Sequence, residues 1–259
     1  MILPLPSLPP ELLLLPSPPK ALFYHGDLSL LKRPKVAIVG TRHPNAYTKA
    51  MTRELARFWS ERGVVVVSGG AFGVDVLAHE AAFPSTILIS PSSLDLPYPP
   101  SHKPIIERIA KEGLLLSEYE SSFMPKRYTF LERNRLIIAL SSLIIIPQAD
   151  LKSGSMQSAH TAIKLGKPLY VLPHRLKESL GTQSLLEREL ALPLYNPQTL
   201  LERHFPELAL PLKKSKDDLL LYAQTLPSYE EAVARFGERI FEYELEGKIL
   251  IKEGRIMPL

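Results

Sequence analysis

Short apolar runs alternate with longer amphipathic segments along most of the chain. The clearest run contains four consecutive valines and ends at Ser68. β-branched residues that are apolar on both sides of a strand are typical of a parallel sheet covered on both faces. The runs predict six strands, at Lys35–Gly40, Val64–Ser68, Thr86–Ser90, Leu114–Ser117, Leu143–Ile146 and Pro168–Leu172.

The segments between these runs carry apolar residues at helical spacing. In the first of them, Met51, Leu55 and Trp59 fall on one stripe, so the only tryptophan is expected in the core. The predicted helices are Tyr47–Arg62, Val74–Ala82, Ile105–Lys111, Thr129–Ser141 and Met156–Leu165. Strands that alternate with helices predict an α/β fold, an extended Rossmann-like, doubly wound and mostly parallel sheet.

Composition changes on both sides of this alternating region. Residues 1–34 are rich in proline and are expected to form a lead-in with polyproline character. The Rossmann-like domain is predicted at 35–205, a linker rich in proline and charge at 206–216, and a small C-terminal module at 217–259. The module reads as helices at Asp218–Gln224, Tyr229–Phe236 and Arg239–Glu246, followed by two short strands about Gly254, which is a winged-helix-like order.

Charge and cysteine content narrow the class of protein. The formal net charge of +4 is a small excess that suits a polyanion only if the cations cluster. The chain has no cysteine, which excludes disulfides, thiol chemistry and cysteine-ligated zinc. The N-terminus lacks a basic region before its apolar residues, and Leu12–Leu15 is too short to span a bilayer. We therefore expect a cytoplasmic protein without a membrane segment.

Candidate chemistry collects where the predicted strands end. Ligands of open α/β sheets bind beyond the carboxyl ends of the strands. We call the residues found there the strand-end rim: Gly40, Thr41, Arg42, Ser68, Gly69, Gly70, Ala71, Lys126, Arg127, Phe130, Asn134, Lys152, Ser153, Gly154 and Ser155. They offer cations, hydroxyls, backbone donors and an aromatic ring, but few carboxylates. This mixture favours a chain of phosphates with bases over a metal or an acid–base pair.

The glycine turn after the second strand is open to two interpretations. A strand, a glycine turn and a helix N-terminus together form an anion cradle, since glycine allows close approach and the helix presents free N–H groups. A tight turn without a ligand explains the same residues equally well. The helix that follows begins near Val74, and Asp75 in its first turn is favourable there for helix capping alone.

Other residues of the rim are equally ambiguous. Phe130 precedes an apolar helix and fits either the core or a stacking platform. Asn134 fits a brace for a loop backbone as well as a binding group. Ser153 to Ser155 precede a helix, where helix caps and phosphate nests have the same sequence.

Familiar catalytic motifs are missing from the sequence. G-x-S-x-G, H-E-x-x-H and G-x-x-x-x-G-K-[ST] do not occur, and the first strand is not followed by G-x-G-x-x-G. The histidines, among them His25, His79 and His174, lack the spacing of metal ligands. We expect a protein that is not an enzyme and needs no metal or cofactor.

Five stretches carry a family resemblance: KVAIVGTRHP, VVVVSGGAFGVD, LLLSEY, PKRYTFLERNRLIIALS and LKSGSMQSA, in this order. Together they resemble the DNA-processing protein A family, DprA/Smf, from Pro19 to Thr182 and more loosely through the C-terminal module. The short N-terminus and the loop IIIPQADLKSGSM are most similar to Helicobacter-type members.

The resemblance implies a dimeric extended Rossmann domain that binds single-stranded DNA in a basic pocket. It also implies loading of the RecA recombinase onto incoming DNA during natural transformation, against single-strand-binding protein. By motif position, Arg42 would contact phosphate, the turn from Ser68 to Ala71 would shape the pocket, and Arg127 and Phe130 would flank the strand.

The sequence departs from the family pattern at two places. Arg127 stands where a lysine is expected, which keeps the charge and changes the contact geometry. Pro147, Gln148 and Ala149 stand where many members carry a glutamate and an alanine, so no role of that acid transfers to this chain.

We therefore expect a homodimeric, single-stranded DNA-binding mediator of recombination, with contact between the C-terminal module and duplex DNA left open. The main rival is a Rossmann-like nucleotide hydrolase of the LOG-like phosphoribohydrolase type. Those enzymes carry P-G-G-x-G-T-x-x-E, whereas the corresponding loop here reads PQADLKSGSM. A second rival is a regulatory module that binds a small nucleotide in the same pocket.

Overall fold

Within the residues that the computed structural model describes, 2–209, 218–223 and 225–258, nine strands form one mixed sheet. Its spatial order is β1-β2-β6-β5-β4-β3-β7-β8-β9, and every pair from β6 to β9 is parallel. The strands are β1 (Leu3–Pro4), β2 (Phe23–Gly26), β3 (Lys35–Ile38), β4 (Val65–Ser68), β5 (Thr86–Ile89), β6 (Leu114–Ser117), β7 (Leu143–Ile146), β8 (Leu169–Val171) and β9 (Leu192–Pro193).

The helices that accompany this sheet are α1 (Pro10–Leu13), α2 (Ala46–Glu61), α3 (Val74–Ala82), α4 (Lys103–Glu112), α5 (Thr129–Leu140), α6 (Gly154–Lys164), α7 (Leu180–Glu187), α8 (Pro197–His204) and α9 (Pro206–Ala209). Helices α2 to α7 connect the parallel strands, while α1 lies between β1 and β2, and α8 and α9 follow β9. Short 3-10 helices lie at Leu28–Lys32 and Pro100–His102. The predicted α/β fold with a mostly parallel sheet is confirmed, and the predicted elements differ from these bounds only near their ends.

The five strands β3 to β7 explain why the sequence shows continuous apolar runs. Every residue in them is buried, because helices cover both faces of the sheet. Trp59 is completely buried and packs edge-to-face on Phe58 and Phe205, so its predicted place in the core is confirmed.

The N-terminal segment differs from the expected polyproline lead-in. Its strand β2 pairs antiparallel with β6, and β1 pairs with β2, so these two strands extend the sheet. Leu12 and Leu22 are buried in the main core, and the buried ammonium of Lys35 lies 3.2 Å from Glu11. An uncovered β6 would leave backbone groups unpaired at the sheet edge, and β2 supplies their partners. Pattern reading missed these strands because prolines interrupt the segment.

Strand order reverses between β3 and β7. From β3 the chain winds outward through β4, β5 and β6, then returns through α5 to β7 on the other side of β3. Helix α2 packs against α3, whereas α5 packs against α6 and α1. Such a switch point opens a crevice at the carboxyl ends of the two central strands, which is where ligands of this fold class bind.

A second unit, Ala209–Leu259, has its own small core. Its elements are α10 (Asp218–Ala223), α11 (Tyr229–Phe236), α12 (Arg239–Leu245) and an antiparallel hairpin of β10 (Ile249–Lys252) and β11 (Arg255–Pro258). This is the predicted order of helices and hairpin. The core consists of Leu219, Ala223, Ala232, Ile240, Ile249 and Ile256.

Along the chain, the boundary between the two units falls near the start of the predicted linker. The first unit is Met1–Leu208, and residues 206–209 form α9 rather than linker. The rest of the predicted linker, 210–216, lies outside the described residues. In the described ranges, no helix combines the length and apolar character that crossing a membrane requires.

Candidate functional site

The structure joins the loops after β3, β4 and β7 into one rim. The Thr41 amide donates to the Gln148 carbonyl at 2.9 Å, which ties the loop after β3 to the loop after β7. The Val74 amide donates to the Thr41 carbonyl at 3.2 Å, which ties the same loop to the start of α3. The backbone therefore holds these parts of the strand-end rim in fixed register across the switch point.

Asp75 organises the inside of the rim. Its carboxyl group is buried, and the backbone N–H groups of Ala71, Gly40 and Gly69 nearby favour its charged form. Burial raises the pKa of Asp75, while the charge of Arg133 and these N–H donors oppose that rise. The three amides thus face an internal carboxylate. Of the two interpretations of the glycine turn, this arrangement favours the tight turn over the anion cradle.

Arg133 explains the glycine that follows β4. Its buried guanidinium donates from Nη1 to the carbonyl oxygens of Gly69 and Ile89. A Cβ at Gly69 would overlap that guanidinium. The next residue, Gly70, has a φ of +71°, and a Cβ there would overlap the Leu88 side chain. Burial and the charge of Arg42 lower the pKa of Arg133 to about 10, against the opposing effect of Asp75. The turn is therefore built around an internal cation.

Ser68 belongs to the sheet interior. It is fully buried, and its hydroxyl donates to the Ile38 carbonyl at 2.6 Å, which links β4 to β3. The hydroxyl proposed for the rim surface is thus used inside the protein. Gly40 has a comparable internal role, since a Cβ there would press on Val74 and on the Gln148 carbonyl.

Arg42 and Phe130 come together at the rim. The Arg42 guanidinium carbon lies 5.6 Å from the centre of the Phe130 ring, although Arg42 belongs to the loop after β3 and Phe130 to the first turn of α5. Arg42 is exposed and Phe130 is half-buried. Tyr98 packs edge-to-face against Phe130 at 5.6 Å on the same ring. A cation and an aromatic surface therefore lie side by side at the mouth of the switch point.

The loop before α5 adds two more cations. Lys126 lies near two rings, 5.7 Å from the centre of Phe123 and 6.0 Å from that of Tyr128. Its backbone is fixed by Thr129, whose hydroxyl accepts from the Lys126 amide and donates to the Lys126 carbonyl. Arg127 is exposed beside it. This loop presents positive charge and aromatic surface on an anchored backbone.

The loop after β7 has a helix cap at its end. Ser153 accepts from the Met156 amide at 3.3 Å and donates to the Asp150 carbonyl at 2.7 Å. Its hydroxyl therefore caps α6. Lys152 and Gly154 are exposed, while Ser155 is buried. Of the residues predicted in this loop, Lys152 presents an exposed charged side chain.

Two amides brace the site from within. Asn134 accepts from the Arg133 Nε at 3.2 Å, so it orients the internal cation. Gln148 accepts from the Asn45 amide at 3.0 Å and so fastens the start of α2. The chain thus uses a neutral side chain in the loop after β7 to hold the backbone before α2.

Pattern reading missed two aromatic residues of the site. Tyr98 lies in a proline-rich loop that no periodicity connects with α5. Phe72 lies inside the glycine turn and is 48% exposed. The sequence could have indicated it, because Phe72 is the one large side chain in a turn of small residues. In the part of the chain that the structure describes, no cluster of histidine, aspartate and glutamate could hold a metal ion.

Comparison with known proteins places this geometry in a family. The family model of DNA recombination-mediator protein A matches residues 3–204. A solved structure of DNA processing protein A from Helicobacter pylori, described for its single-stranded DNA binding mode, has a TM-score of 0.78 and 51% identity and covers 80% of this chain and 96% of that one. The corresponding Streptococcus pneumoniae structure has a TM-score of 0.72 and 32% identity and covers 76% of this chain and 71% of that one.

Curated relatives match the same region. A putative DNA processing protein DprA from Mycobacterium tuberculosis is 40% identical over 155 residues, which is 58% of this chain and 40% of the relative. DNA processing protein DprA from Bacillus subtilis is 36% identical over 163 residues, 61% of this chain and 55% of the relative. The chain spans about half the length of the curated relatives it matches.

Proposed function

The chain belongs to the DNA recombination-mediator protein A family, and on that premise we propose that its strand-end rim binds single-stranded DNA. The observation that carries the proposal is the Arg42–Phe130 pair, with 5.6 Å between the guanidinium carbon and the ring centre. A strand of nucleic acid alternates phosphates with flat bases. The pair offers a cation for the first and a ring for the second.

The remaining cations extend this surface. Lys126, Arg127 and Lys152 are exposed on the loops after β6 and β7. Lys126 is presented from an anchored backbone, so less conformational entropy is lost when it contacts phosphate. Contacts of this kind recognise the phosphate backbone and the flat faces of the bases, and they do not distinguish one base from another. We therefore propose binding with little sequence preference.

The proposal includes the biological role. The protein acts without catalysis as a cytoplasmic mediator that protects incoming single strands and loads the RecA recombinase during natural transformation. Membership of the recombination-mediator family supports this role. The Arg42–Phe130 surface supplies the binding step on which it depends.

The proposed assembly is a homodimer. Strand β9 ends the sheet, and its Leu192 is 52% exposed. Tyr195, just beyond β9, is 78% exposed. An edge strand with apolar side chains is a surface that proteins commonly cover by association. Light scattering at several concentrations tests the assembly, and a monomer at all of them contradicts it.

A gel-shift comparison tests the proposed binding directly. Single- and double-stranded oligonucleotides of equal length are titrated with the protein at two salt concentrations, without any nucleoside triphosphate. We expect preferential binding of the single strand, weaker at higher salt, and recovery of intact DNA. Reproducible cleavage, or equal binding of duplex, contradicts the proposal.

A second titration separates the rival functions. Incubation with nucleoside monophosphates should release no base and should not raise the melting temperature. Base release abolished by a rim substitution identifies a hydrolase, and thermal stabilisation without turnover identifies a nucleotide-reading module.

A further inference from the structure

Phe72 is a large exposed ring within the glycine turn. Its neighbours in sequence are Ala71 and Gly73, and 48% of its surface is exposed. Gly73 follows it with a φ of +77° and lies so close to the backbone of Thr41 and Arg42 that a Cβ would overlap the carbonyl groups of both. The turn that carries Phe72 is thus packed against the loop that carries Arg42.

His102 holds the Phe72 ring in place. The two ring centres are 4.6 Å apart with 61° between their planes. Nδ1 of His102 lies 3.0 Å from the Gly70 carbonyl, and since a carbonyl can only accept, the histidine donates this hydrogen bond. His102 comes from the 3-10 helix after β5, so two separate loops fix the position of one exposed ring.

A single exposed aromatic residue is ordinary on a protein surface. Phe72 differs in two respects. Its backbone lies in a turn where Gly70 and Gly73 both have positive φ and no room for a Cβ, and its ring packs against His102. An orienting contact of this kind leaves little side-chain entropy to lose when a flat ligand stacks on the free face.

We propose that Phe72 is a second base-stacking platform, which takes a further nucleobase of the strand whose phosphate contacts Arg42. The assignment rests on the proposed binding of single-stranded DNA. Arg42 reaches the Phe130 ring with its side chain, while its peptide contacts the Phe72 turn. Arg42 therefore contacts one ring directly and the turn that carries the other, which suits a phosphate at Arg42 with a base on each ring.

The test compares two polymers that differ only in their bases. Affinity is measured for an oligothymidylate and for an abasic deoxyribose-phosphate strand of equal length. Stacking needs a base, whereas phosphate contacts do not. Phe72→Ala should weaken binding of the oligothymidylate by roughly 5- to 150-fold and leave binding of the abasic strand and the salt dependence unchanged. Phe72→Trp should retain the affinity.

A matched control is available in the second unit. Phe241 on α12 is also 48% exposed, and Phe241→Ala should leave both affinities at the parental values. Melting temperatures of all variants establish that each remains folded. If Phe72→Ala binds the oligothymidylate like the parent, or loses as much affinity for the abasic strand, the platform is refuted.

The measurements distinguish failure of the Phe72 platform from failure of single-strand binding itself. A parental protein that binds neither strand overturns the proposed function and this inference together. A parent that binds, is weakened by Arg42→Ala and is unaffected by Phe72→Ala keeps the proposed function and loses only the platform.

Discussion

The Arg133 guanidinium fills the space beside Gly69 that any side chain at that position would need. It donates there to the carbonyl oxygens of Gly69, which follows β4, and of Ile89, the last residue of the neighbouring strand β5. The absence of a side chain at Gly69 is therefore a packing requirement of the interior. The charge of the same buried cation also opposes the rise in the pKa of Asp75 that burial causes.

Gly69→Ala should destabilise the first unit by about 1–3 kcal/mol, because the guanidinium must move and lose its hydrogen bonds. Urea unfolding measures the change. Gly154→Ala is the matched control, since its Cβ would meet only Leu131 at an ordinary 3.8 Å and alanine favours a helix. Equal stability of the two variants contradicts the internal role of Arg133.

Arg42→Ala and Arg127→Ala should each flatten the salt dependence of single-strand binding. Each phosphate contact contributes a slope of about −0.7 to the logarithm of affinity against the logarithm of salt concentration. Lys111→Ala provides the control, because Lys111 is exposed at the end of α4, before β6 rather than after it. Arginine variants with the parental slope would place the phosphate path elsewhere.

Phe130→Ala should weaken single-strand binding by about 1–3 kcal/mol with an unchanged salt slope, since stacking releases no counterions. The half-buried ring also packs on Tyr98, so a modest fall in melting temperature is expected. Affinity is therefore measured well below the melting transition. Normal affinity there, with a large loss of stability, would assign Phe130 to the core instead.

His79 should make the protein lose stability as the pH falls. It is fully buried, its Nδ1 lies 2.7 Å from the Thr86 hydroxyl, and burial, with the charges of Arg133 and His102, lowers its pKa to about 3. Between the unfolded pKa of 6.5 and that value, the unfolded chain binds the additional proton. Stability should therefore fall by up to about 1.4 kcal/mol per pH unit in this window.

His79→Gln removes that proton uptake, so its unfolding free energy should vary less between pH 6.5 and 4.5. Urea titrations at several pH values measure both slopes. His160 on α6 is exposed, and His160→Gln is expected to behave like the parent. A parental slope in His79→Gln would show that other groups dominate acid unfolding.

A fragment of residues 1–209 should fold and bind single strands with parental affinity. The rim and the main core lie within that range, and the second unit has a separate core. Circular dichroism establishes folding, and a gel shift measures binding. A folded fragment that has lost single-strand binding would move the site to the second unit.

Local periodicity was enough to predict β3 to β8 and the helices that connect them. A strand covered on both faces must be apolar throughout, and an amphipathic helix must repeat its apolar residues every turn. The winding order then placed the loops after β3, β4 and β7 at one rim. The strands β1 and β2 could not be found in this way, because prolines interrupt their segment and their pairing partner β6 is distant in sequence.

The residues at the rim were thus named from the sequence alone, but their division between surface and interior was decided by the tertiary structure. Arg42 and Phe130 meet although 87 positions separate them, and the sequence left open whether that ring was core or surface. The Ser68 hydroxyl bonds to the Ile38 carbonyl inside the protein, and the amides of Gly69 and Ala71 lie beside the buried Asp75. A buried hydroxyl, amide or charge must find a partner inside, and which partner lies within reach depends on segments that only folding brings together.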